Sequence, residues 1–149
     1  MNTYPVKARS GIEDIMDRII ETAPSMISQI ISHSAITHWF DAETIAWMES
    51  KEEEETKGIL DDLARNYTFV RPHPSHGYTY HENVRAAILL KLKTEDLQDF
   101  RKLNRRANAY FEHKVESATA EKREEFMREQ AYHLLVSDEE EGFRMFLSM

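Results

Sequence analysis

The chain has 149 residues, 41% of them hydrophobic and 31% charged, with a net charge of −8. That is room for one ordinary globular domain, or a small domain with a helical extension. With no cysteine, it forms no disulfides, has no thiol chemistry and cannot build a thiolate zinc site. No apolar run approaches the roughly 18–20 residues that span a bilayer. The opening MNTYPVKARS lacks the apolar core of a signal peptide, so a cytoplasmic location is expected. The acidic balance also works against non-specific nucleic-acid binding, which draws on Lys and Arg displacing phosphate counterions.

Four glycines and four prolines leave little punctuation, so the chain should be mostly helical. Residues 1–9 read as a loose arm. Ser10 and Glu13 form a capping-box pair ahead of Ile12, Ile15, Ile19 and Ile20 at helical spacing. Pro24 suits the first turn of a second helix, whose apolar face is Met26, Ile27, Ile30 and Ile31. Asp41 is a good N-cap for a third, with Phe40 and Ile45 in hydrophobic-staple positions. Ser50 and Glu53, a second capping box, predict a fourth helix to about Arg65. Two alternating runs, Tyr67–Arg71 and Gly77–His81, flank a turn rich in Pro and Ser and predict a β-hairpin. Their aromatics Tyr67, Phe69, Tyr78 and Tyr80 read as packing. A helix from about His81 to Lys93 follows at once.

Thr94 is expected to cap a long helix to about Glu116, with Leu97, Phe100, Leu103, Ala107, Tyr110 and Phe111 as its buried stripe. Thr119 starts another, carrying Phe126, Met127, Tyr132, Leu134 and Leu135. Ser137 and Glu140 form a further capping box for a last helix through Phe143, Met145 and Phe146. The expected fold is mainly α: a winged-helix domain over residues 10–93, with a short β-hairpin, then antiparallel helices over residues 94–149. The two parts should pack together, since no flexible linker separates them. The last amphipathic helix has little to pack against, which predicts a neighbour outside the chain. Its apolar face can also mediate homodimerisation.

A winged helix that reads DNA sets the helix before its hairpin into the major groove. Here that helix opens with Glu52 to Glu55 and carries Asp61 and Asp62, which phosphates would repel. The carboxylates suit a helix N-terminus instead. Basic residues gather later: Arg85, Lys91, Lys93, Arg101, Lys102, Arg105 and Arg106, against Glu95, Asp96 and Asp99. His73, His76 and His81 fall within nine positions, but loop spacing is unconstrained and no carboxylate converges, so no metal site is expected. His81 stands near a helix N-terminus, where unpaired N–H groups favour an anion, and Arg85 lies four residues on along the same face. Together they could hold a phosphate. No nucleophile constellation or phosphate loop is present, so the chain is not expected to be an enzyme. Gly11, Gly58, Gly77 and Gly142 stand singly and read as caps or turns.

The runs IMDRIIETAPSMISQIISHSAITHWFDAETIAWM, ILDDLARNYTFVRP, GYTYHENVRAAILLKL and FRKLNRRANAYFEH resemble the winged-helix region of STAND-type signalling NTPases, bacterial relatives of the NB-ARC family. The segment AYHLLVSDEEEGF is similar to the start of the helical array that follows it there, which makes the later helices TPR-like. The resemblance covers roughly residues 12–146 and is most specific at the strand followed by His81, Val84 and Arg85. It implies a module that packs on a nucleotide-binding domain, of the same longer chain or of a partner, and relays its state to helical repeats. It also implies that His81 contacts the phosphate of bound ADP. Glu82 and Asn83 stand where the family usually has Asp and an apolar residue. The isolated chain should hold no cofactor, with ADP or ATP entering only in an intact NTPase. The alternative is a winged-helix transcriptional regulator that binds nucleic acid through the basic stretch from Arg85 to Arg106.

Overall fold

The structure, a computed structural model, describes residues 11–148. The expected arm, the capping residue Ser10 and the terminal Met149 lie outside the described residues. Within them the chain is mainly helical, with eight helices and one two-stranded antiparallel sheet. The order is α1 (Gly11–Thr22), α2 (Ser25–Ser34), α3 (Ala42–Glu49), α4 (Glu53–Asn66), β1 (Val70–Pro72), β2 (Tyr78–Tyr80), α5 (Glu82–Glu95), α6 (Leu97–Ser117), α7 (Ala120–Ser137) and α8 (Glu139–Ser148).

The first core follows from the isoleucine spacing of α1 and α2. Met16, Ile30, Ile31, Phe40, Ile45 and Leu63 are buried together, with Val70, Tyr80, Val84 and Ile88 closing the cluster from the hairpin and α5. Asp41 caps α3 as expected: its Oδ1 accepts from the backbone N–H and the hydroxyl of Thr44, each at 2.8 Å. Phe40 and Ile45, the staple pair, share this core.

Ser50 does not open α4. It closes α3 in the left-handed conformation (φ 55°), and Lys51 N–H returns to the carbonyl of Ala46 at 2.9 Å. Glu52 occupies the N-cap of α4 without a side-chain cap. The start of α4 is instead tied to α3 by the buried Thr56 hydroxyl, which donates to the Ala42 carbonyl at 2.7 Å.

The hairpin is shorter than its alternating pattern. Tyr67 is the C-cap of α4, its N–H bonded to Leu63, so pairing begins only at Val70. The register is Val70 with Tyr80, Arg71 with Thr79 and Pro72 with Tyr78. Phe40 pairs with Tyr78 on the other edge of β2, through two 2.8 Å backbone bonds. Tyr67, Phe69 and Tyr78 pack against the core as expected.

Two aspartates turn the chain between later helices. Asp96 is both the C-cap of α5 and the N-cap of α6, accepting from Asp99 N–H at 3.0 Å. Asp138 does the same between α7 and α8, accepting from Glu141 N–H at 3.2 Å. Thr94 therefore lies inside α5. Ser137 ends α7, its hydroxyl donating back to the carbonyl of His133 at 2.9 Å. Neither plays the capping role expected of it, because a carboxylate stands at the joint itself.

The later helices pack over the first part. Ile36, Met48, Leu89 and Leu92 meet Phe100, Leu103 and Ala107 of α6. Trp39 meets Tyr110, Phe111 and Phe126. Gly142 is neither a cap nor a turn: it is buried in α8, against the backbone of Leu135. Phe143, Phe146 and Leu147 remain exposed on α8. Among the described residues, no helix is long and apolar enough to cross a membrane.

Candidate functional site

Helix α7 presents Glu125, Glu129 and His133 at intervals of four, one row along one face. The row faces the hairpin turn and the segment between α2 and α3. His76 of the turn bonds Glu125 through Nε2 at 2.6 Å. His38 bonds Glu129 through Nδ1, at 2.5 and 2.9 Å to the two oxygens. Between these pairs Trp39 stacks on His76, with centroids 4.3 Å apart and planes 15° from parallel. Glu129 is buried, and its bond to His38 is what makes that burial tolerable.

Arg85 reaches the same place from α5. Its Nη2 donates to the carbonyl of Ile36 at 3.1 Å, and its Nε to that of Thr37 at 3.4 Å. The Tyr132 hydroxyl lies 3.5 Å from Nη2. One guanidinium thus satisfies main-chain carbonyls left over where α2 stops.

His133 is fully buried and lies parallel to Phe111, with centroids 5.6 Å apart. The Asn104 amide nitrogen donates to the Phe100 carbonyl at 2.9 Å, which leaves Oδ1 as the acceptor for His133 Nδ1, also at 2.9 Å. The proton is therefore on Nδ1, and Nε2 is a buried acceptor without a partner among the described residues. Burial, with the charges of His38 and Arg85, holds this imidazole neutral, well below the usual histidine range. His73 is also pushed down, by burial and by His76; its Nδ1 accepts from the N–H groups of Ser75 and His76.

The expected phosphate pair is divided between two tasks. His81 caps α5, its Nδ1 accepting from Asn83 N–H at 3.3 Å. That bond fixes the proton of the neutral ring on Nε2 and leaves it as a donor. Arg85 is held by the carbonyls described above. Beside the same end of α5 is an open groove of about 550 Å³, lined by Ile12, Glu13, Asn83, Ala86, Ala87 and Leu90.

The basic stretch is also divided. Lys91 pairs with Glu95 at 2.9 Å and Asp17 at 3.5 Å; the Glu95 hydrogen bond is the main cause that raises its pKa. Arg106 donates to the Met48 carbonyl at 2.6 Å. Lys93, Lys102 and Arg105 are exposed, and Arg101 is half-buried. His73 and His76 join the seam through Trp39 and Glu125, and no group of three or more metal-ligating side chains forms among the described residues.

Sequence reasoning missed His38, Glu125, Glu129 and His133. The available signal was the four-residue repeat of Glu125, Glu129 and His133, which interrupts the apolar face of α7 near Phe126 and Ala131. Comparison of the chain with protein-family models, with curated proteins and with solved structures gave no match in any of the three.

Proposed function

We propose that the chain is a non-catalytic regulatory and interaction module, a winged helix with a TPR-like helical extension, similar to the switch region of a STAND-type NTPase. It packs on a nucleotide-binding domain, of the same longer chain or of a partner, and passes that domain's state to helical repeats or other proteins in the cytoplasm. The observation that carries this reading is His81. Its Nδ1 is occupied by its own helix start, which leaves Nε2–H as a donor at a helix N-terminus, where an anion is favoured. The one-residue Asp96 joint and the shared cores of the two parts support relay through packed helices. The exposed Phe143 and Phe146 of α8 offer a face for a further helix or a second copy.

In this reading ADP is contacted only in the assembled protein. A tag on the chain at its native locus should recover a nucleotide-binding domain with ADP bound. His81→Ala should reduce ADP affinity about 10-fold or more, the loss of one charge-assisted hydrogen bond. Thermal unfolding of the isolated chain should change little. ADP affinity unchanged by the substitution rejects the reading.

The exposed Lys93, Lys102 and Arg105, with no acid partner within ion-pair distance among the described residues, favour a second reading as a nucleic-acid-binding regulator. It requires binding that weakens steeply with salt and loses about one unit of salt slope per lysine or arginine neutralised. Absence of binding at low salt rejects it.

A further inference from the structure

We propose that the seam between α7 and the hairpin is an acid-released latch, closed at neutral pH and opened when His133 takes up a proton. Two imidazoles of the first part, His76 and His38, hold two carboxylates one helical turn apart on α7. One turn further, His133 is buried with its protonated nitrogen on Asn104 and its other nitrogen without a hydrogen-bond partner among the described residues.

A second proton on His133 puts a cation in that enclosed position. The groups around it offer no relief. His38 lies 6.4 Å away between ring centroids, and Arg85 of α5 adds a permanent positive charge. Glu129 is the carboxylate beside them, and both its oxygens are already within hydrogen-bond distance of His38 Nδ1. From α6 come Phe111 and the Asn104 amide, and from α7 the Tyr132 ring. At the outer end are His73, His76 and Glu125, with Lys114 over the Phe126 ring. Protonating His133 would thus set its cation beside Arg85, with Glu129 already engaged by His38. Lifting α7 exposes His133 to water and separates both His–Glu pairs in one movement.

The sign is fixed by the buried, neutral form. The closed state holds His133 below its ordinary value near 6.5, and the open state restores that value. The latch is therefore intact above pH 6.5 and weakens as pH falls below it, about 10-fold per pH unit for one proton. This inference does not depend on any nucleotide, so it stands or falls apart from the reading given above.

Amide hydrogen exchange of the full chain at pH 7.5 and 5.5, corrected for intrinsic rates, tests it. Opening of α7 (residues 120–137) should increase about 10-fold, while α4 (residues 53–66) keeps its protection. The variants His133→Gln and His133→Leu should abolish the acid response of α7. An α7 opening unchanged between the two pH values overturns the proposal, as does a loss of protection that α4 shares equally. So does an acid response retained in either variant. If neither variant folds, the wild-type slope decides: one proton per opening event, confined to α7, is required.

Discussion

Arg85 donates to the carbonyl of Ile36 at 3.1 Å, across 49 positions of the chain, and so ties α5 to the end of α2. A guanidinium that bridges two carbonyls is a structural fork, because its planar donors can reach both at once. Arg85→Ala should lower stability by about 1.5–3 kcal/mol, the range for hydrogen bonds to charged groups. Arg85→Lys should recover only part of the loss, since an ammonium cannot reproduce the two-pronged geometry. Urea unfolding of the three proteins checks this. Equal stability of the alanine variant would mean that water replaces the fork without cost.

Asp41 has a second, local role of this kind. Its carboxylate receives both polar hydrogens of Thr44 at the start of α3. Asp41→Ala should cost about 1 kcal/mol, as for other N-cap losses. Asp41→Asn should cost much less, because the amide oxygen can accept the same bonds. Denaturation midpoints, with an unchanged slope, distinguish the two.

The local code explains which parts of this fold were readable. Asp41 next to Phe40 and Ile45 is a signal contained in six residues, and α3 begins there. The stripe from Leu97 to Phe111 is similarly local; it is buried along α6 from Phe100 on, while Leu97 at the first turn is exposed. Capping residues fared differently where a competitor stood close by. Thr94 and Ser137 precede Asp96 and Asp138, and at each joint the aspartate both ends one helix and starts the next. Ser50 illustrates a different limit, since a left-handed turn at a non-glycine residue has no clear sequence mark. The seam was least readable. His38 and Glu129 are 91 positions apart, and Glu129 in isolation looks like any exposed acid on a charged helix. Only the packing of α7 on the segment between α2 and α3 makes the pair visible.

Gly142 marks the closest approach of α8 to α7. A Cβ there would overlap the Cα of Leu135 and sit 2.5 Å from its nitrogen. The obstacle is backbone, so a side-chain shift cannot absorb it. Gly142→Ala should force the two helices apart at a cost of about 1–3 kcal/mol, the usual range for overpacking. The loss should be local. Hydrogen exchange should report faster opening of α8 with protection of α1 to α5 unchanged. Improved protection of α8, from the better helix propensity of alanine, would contradict the close contact.

Glu49 provides a pH dependence separate from that of His133. It ends α3 and accepts from two residues of α2, with Gln29 Nε2 at 2.7 Å and His33 Nδ1 at 2.5 Å. Burial pushes its carboxyl up, but the bonds to His33 and Gln29 and the charges of His33 and Arg106 together pull it below the usual value. The folded value is thus below the unfolded one near 4.5, so the unfolded chain binds the proton first as pH falls. Stability from this group is complete above pH 4.5 and is lost progressively below it, through the folded value. Glu49→Gln removes the titration. The variant should be less stable than the parent at pH 7, and the gap should narrow as pH falls from 4.5 toward 3. Unfolding free energies at pH 7, 5, 4 and 3 measure that gap directly. A gap constant over the whole range would show that Glu49 gains nothing from its ionised form, and that the α2–α3 contact rests on packing alone.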